Sequence, residues 1–112
     1  MPKSSHSLDT VFKALADPTR RAVIERLGRG PQGMSELARP FGMALPSFSQ
    51  HLDVLEECGL VRSHKRGRVR TYQLAPKRLA LVEHWLDRQR LHWQGRLDQL
   101  DNFLETLKEE QP

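Results

Sequence analysis

The chain has 112 residues, enough for one domain and little more, which excludes most multi-domain enzymes. Apolar residues make up 38% and charged residues 29%, so the core is thin unless two copies share it, and a formal charge of +4 suits a polyanionic partner. No apolar run is long enough for a membrane helix or a secretory core, and one cysteine, Cys58, cannot form an internal disulfide. The expectation is a cytoplasmic chain with no membrane partner, no structural metal and no cofactor.

Leu8, Val11, Phe12 and Leu15 recur at helical spacing and predict a first helix over 7–16. Asp17-Pro18 then gives an N-cap followed by proline at the first helical position, and Val23, Ile24 and Leu27 continue the apolar face to a Gly28-Arg29-Gly30-Pro31 stop. Met34, Leu37, Ala38 and Phe41 predict a short third helix ending near Gly42. Pro46 opens a fourth helix over 46–58, with Leu45, Phe48, Leu52 and Leu55 directed inward and Gly59 as its left-handed cap. Two short helices joined by a glycine-containing turn form a helix-turn-helix, whose second helix enters the major groove of DNA.

From Leu60 to Leu74 the period changes to that of a β-hairpin, with Gly67 at a charged tip and Tyr72 and Leu74 on one face. Pro76 opens a last helix over 76–109. There Leu79, Leu86, Trp93, Leu100 and Leu107 repeat every seven residues, and Leu97 and Leu104 complete the seam. At about 1.5 Å per residue this helix reaches roughly 50 Å, too far for a small domain to cover, so its stripe is expected to meet a second copy. Leu86, Trp93, Leu97, Leu100, Leu104 and Leu107 are the candidate interface residues.

Charge is unevenly placed. Residues 98–112 carry −4 and the preceding part +8. The densest basic stretch is 62–70, where Arg62, Lys65, Arg66, Arg68 and Arg70 stand with no acid between them.

With these residues in view, the chain resembles the ArsR-type family of small bacterial winged-helix repressors. "FKALADPTRRAVIERL", "MSELARPFGMALPSFSQHLDVLEECGLV" and "RGRVRTYQL" match its first two helices, its helix-turn-helix and its wing. The "HWLDRQRLHWQGRLDQLDNFLETL" segment is similar to the last helix of a branch without metal-binding cysteines. The resemblance implies a mainly α fold with a small β-hairpin, a winged helix-turn-helix core over 7–75 and a C-terminal dimerisation helix over 76–109, all within a single 1–112 domain. It implies a homodimer joined through its first helix (Leu8, Val11, Phe12) and its last. Such a dimer would bind a pseudo-palindromic operator in double-stranded DNA and block transcription. The chain departs from the family at Ala44, where relatives often carry a hydroxyl cap.

On that fold Ser47, Ser49, Gln50 and His51 lie near the start of the recognition helix. Gln pairs bidentately with adenine, Ser serves a base edge or a phosphate, and His donates to a phosphate oxygen. Arg62, Lys65, Arg66, Arg68 and Arg70 of the wing would meet phosphates or a narrow minor groove. The third-helix stretch Met34–Phe41 has no Cys or His, and Glu83, His84 and His92 make no Asp-x-His pair, so no metal site is expected. No nucleophile-base arrangement or phosphate-cradling loop points to an enzyme. Three rivals stand beside the repressor: the same fold with a metal or redox switch, a protein-interaction module built on the last helix, and a nonspecific architectural DNA binder. The effector, if one exists, is unknown from the sequence.

Overall fold

The computed structural model describes residues 7–110 and consists of five α-helices and three short strands among them. Helix α1 (Leu8–Leu15) starts where Ser7 Oγ accepts from the Thr10 N–H at 3.3 Å. Helix α2 (Pro18–Leu27) starts where Asp17 accepts from the Arg20 N–H at 3.1 Å, and Pro18 takes a first-turn position that needs no N–H. The last carbonyls of α1 are then capped from α2: Arg20 Nε donates to Ala14 O at 2.7 Å and Arg21 to Leu15 O at 2.8 Å.

Strand β1 (Gln32–Gly33) follows, then α3 (Met34–Ala38), where the Glu36 carboxylate accepts from the Gly33 N–H. The single third helix expected through Phe41 is instead α3 followed by a 3₁₀ turn over Arg39–Phe41. Pro40 explains this, because it lacks an N–H and its ring crowds the carbonyl four residues back. Gly42, at φ +60°, makes the turn into α4 (Leu45–Glu57). Helix α4 ends in a two-bond glycine cap, with Leu60 N–H donating to Leu55 O and Gly59 N–H to Glu56 O, Gly59 standing at φ +83°.

Strands β2 (Val61–Arg66) and β3 (Val69–Leu74) pair antiparallel, and β1 adds to the other edge of β3, giving the order β1-β3-β2. Helix α5 (Pro76–Glu109) runs for 34 residues. β1 escapes sequence reading because two residues beside Gly30 and Pro31 have no alternation to detect.

The core gathers Val11 and Ala14 of α1, Val23 and Leu27 of α2, Leu37 of α3, Phe48, Leu52 and Leu55 of α4, and Leu60, Val61 and Tyr72 of the hairpin. Phe41 and Phe48 stack with ring centroids 5.1 Å apart. Tyr72 closes the hairpin against the helices, as the pattern of that strand predicts. Leu45 does not join the core and is 51% exposed, because it is the first residue of α4 and lies a turn ahead of Phe48. Val11 is fully buried in its own protomer, which corrects its expected place at the dimer contact: its side chain has no surface left to offer a partner. On the same helix Leu8 is half-buried and Phe12 exposed.

The chain forms two compact units, one ending at Val82 and one beginning at Glu83. The first extends beyond Pro76 because Leu79 and Val82 pack against the core. The second is the remainder of α5, along which Leu86, Trp93, Leu97, Leu100, Leu104 and Leu107 are all exposed, with Leu91 and Phe103 beside them. No helix among the described residues is long and apolar enough to cross a membrane.

Candidate nucleic-acid interface

Burial of Phe48, Leu52 and Leu55 fixes which side of α4 is turned out. Ser47 and Gln50 are exposed on it, and Ser49 and His51 are half-buried at its flanks. Ala44 forms no side-chain cap, so the backbone N–H groups of Leu45 and Ser47 keep no intrahelical acceptor in the first turn, and Pro46 has none to offer. Those donors, with the Ser47 hydroxyl, form a start of helix suited to a phosphate oxygen. Gln50, one turn further on, presents an amide able to donate and accept at once.

His51 is placed differently. Its Nδ1 lies 3.2 Å from a guanidinium nitrogen of Arg20 and 3.8 Å from the Asp17 carboxylate. A guanidinium only donates, so Nδ1 accepts and the ring proton sits on Nε2. Asp17 therefore caps α2 and faces His51 at once. Desolvation raises its pKa, but the Arg20 backbone N–H, the positive charge His51 carries once its ring is protonated, the Arg20 guanidinium and the Thr19 backbone N–H outweigh that and hold the carboxyl below its ordinary value.

The register of the hairpin sorts the wing's basic residues. Directly opposed residues share a face, so Val61/Leu74, Ser63/Tyr72 and Lys65/Arg70 belong to the side that buries Val61 and Tyr72. Arg62/Gln73, His64/Thr71 and Arg66/Val69 belong to the other. Gly67 and Arg68 form the two-residue tip. Gly67 stands at φ +64° and no described non-glycine residue has positive φ, which marks a primed turn with glycine leading. All five basic residues are exposed, yet they make no single patch. Arg70 is tied inward: its guanidinium donates to Ser63 Oγ at 2.9 Å, and Ser63 donates from Oγ (2.8 Å) and from its backbone N–H (3.2 Å) to the Glu56 carboxylate on α4. Glu56, Ser63 and Arg70 thus clamp the root of the wing to the end of the helix before it.

Cys58 is buried beside this region, its thiol donating to Leu55 O at 3.5 Å, and it lines a hollow of about 240 Å³ with Arg20, Val54 and Glu57. Burial pushes the thiol up, with Glu57 adding to it, against the lowering effect of nearby backbone N–H groups and Arg20. The principal cause is thus burial and not the adjacent carboxylate, and a protonated thiol is a poor nucleophile and metal ligand. Among the described residues no three His, Cys, Asp or Glu side chains are grouped to hold a metal ion.

The sequence offers Ser47, Gln50 and the wing tip as candidates, but gives no sign that Arg20, Glu56 and Ser63 bond to residues beside them. Arg20 sits on a helix with other cations and carries no local signal of its long-range partner.

Comparison with known proteins agrees with this architecture. Residues 15–64 match a helix-turn-helix domain family. The HTH-type transcriptional regulator Rv2034 of Mycobacterium tuberculosis is 48% identical over 73% of this chain and 77% of its own length. The transcriptional repressor SdpR of Bacillus subtilis is 32% identical over 70% of this chain and 88% of its own. The crystal structure of the ArsR family transcriptional regulator RHA00566 is 51% identical and superposes with a TM-score of 0.75, covering 84% of this chain and 97% of that one. This chain therefore belongs to the ArsR family of winged helix-turn-helix proteins, DNA-binding transcriptional regulators and not enzymes.

Proposed function

We propose that the chain is a homodimeric repressor that binds a pseudo-palindromic operator in double-stranded DNA within the bacterial cytoplasm. The observation that carries this reading is the pairing of an exposed, uncapped start of α4 with a wing whose tip and outer face are basic and free of acid. Ser47, Ser49 and Gln50 meet base edges and the nearest phosphates; Arg62, Lys65, Arg66 and Arg68 meet the flanking backbone. The exposed apolar stripe of α5, with Leu8 and Phe12, supports a second copy as the partner, since an unshared stripe of this length is a liability in water. Repression follows the function that SdpR's name states for that relative.

The test is selection from random duplexes by the purified chain, with sedimentation of the free protein alongside. The expected result is a dimer that enriches an inverted repeat with half-site centres about one helical turn, roughly 34–36 Å, apart. A monomer, or enrichment no better than random sequence, overturns the reading.

A further inference from the structure

We propose that Arg20 is a positioning residue for DNA reading that fixes the angle of α4 against α1, and that His51 serves it as an acceptor without touching DNA itself. The inference rests on the reading of α4 as the groove helix. Three helices converge on this one side chain. Its backbone lies in α2, its Nε donates to Ala14 O at the end of α1 at 2.7 Å, and a terminal nitrogen donates to His51 Nδ1 on α4 at 3.2 Å. A guanidinium is planar and its donors point in fixed directions, so two acceptors on one fork hold two helices at a set angle, which a flexible ammonium cannot do. Asp17, fixed as the cap of α2 and 3.8 Å from His51 Nδ1, faces the same cluster.

The angle matters because α1 carries Leu8 and Phe12 towards the proposed partner while α4 carries the reading face. Half of the spacing between half-sites is about 17 Å, so a tilt of about 10° moves the reading face by about 3 Å, close to the rise of one base pair. Loosening this bridge should blur the preferred half-site spacing before it abolishes binding.

The experiment measures affinity, by fluorescence anisotropy, for the selected operator and for versions with one base pair inserted or removed between half-sites. Wild type is expected to lose about tenfold or more on either change, and Arg20→Lys to lose only about threefold or less while keeping its charge. His51 is tested with two isosteres. His51→Asn sets an amide oxygen where Nδ1 was and is expected to bind as wild type does, whereas His51→Gln, whose amide reaches the Nε2 position, loses spacing discrimination. Retained discrimination in Arg20→Lys overturns the proposal, as does the reverse order of the two His51 variants, which would place Nε2 on DNA. Wild-type protein that binds no operator overturns both the groove-helix reading and the bridge. Wild-type protein that binds every spacing alike overturns the bridge alone, and the two failures are thereby distinguished.

Discussion

The wing offers two arginines two residues apart with opposite expected behaviour. Arg68 stands at the two-residue tip with no side-chain bond among the described residues, whereas Arg70 donates to Ser63, which in turn bonds to Glu56. Each phosphate contact contributes about 0.9 to the slope of log K against log salt. Arg68→Ala is therefore expected to flatten the slope by that amount, so that between 50 and 200 mM salt it loses about 3.5-fold less affinity than wild type does. Arg70→Ala is expected to leave the slope unchanged and to cost stability instead. Its bond is exposed, so the loss is about 0.5 kcal/mol, or about 2–4 °C in Tm for a domain of this size. Anisotropy titrations at four or five salt concentrations, with thermal unfolding of each variant, separate the two. An equal flattening by Arg70→Ala refutes the clamp, and an unchanged slope in Arg68→Ala takes the wing tip off the phosphates.

Asp17→Ala removes the cap of α2 and should cost about 1 kcal/mol, while Asp17→Asn, which keeps a capping oxygen but not the charge, should lose only the smaller ionic part near neutral pH. Because the folded Asp17 carboxyl lies below its ordinary 3.8, its ionic contribution is present above that pH and is lost as pH falls through the lower folded value; in denaturation, wild type should be more stable than Asp17→Asn at pH 6 and the gap should narrow at pH 3, and a gap that is constant with pH would contradict the lowered pKa. Leu100→Asp should dissociate the dimer in sedimentation while the circular dichroism of the protomer is kept, since Leu100 is exposed in the single chain; an intact dimer would take the α5 stripe out of the interface. Cys58 should react with a thiol reagent only slowly in the native protein and rapidly once denatured, and fast native labelling would contradict its burial.

The helices were legible because each carries its own signals. Asp17-Pro18, the Leu8 to Leu15 period and Gly59 after the α4 stripe are all local, and the structure places caps and ends within a residue or two of them. What failed to show in the sequence depended on distant partners. β1 exists only because β3 has a free edge for Gln32 and Gly33. Val11 has the spacing of an interface residue as well as that of a core residue, and only the position of the surrounding helices decides between them. His51 is read from the sequence as a phosphate donor, and nothing local shows that Arg20, 31 residues away, faces its Nδ1.

In the wing, strand parity itself carries information. Alternation in a strand is strict, so once Tyr72 and Leu74 are assigned to the buried side, Arg70 must share it and Thr71 and Gln73 must not. That parity alone separates Arg70 from the outward-facing set, and the acid-free run 62–70 then has to be divided between faces before its charge is counted towards DNA. A net charge of +4 says nothing of this division. The register does: Arg62 and Arg66 lie on the outer face, Arg68 at the tip, and Lys65 and Arg70 on the face of Val61 and Tyr72, where Arg70 bonds Ser63 and through it Glu56 of α4. One of the five wing cations thus goes to tying the wing to the recognition helix, and only Arg62, Arg66 and Arg68 stand on the outer face and tip that the proposed reading turns towards DNA.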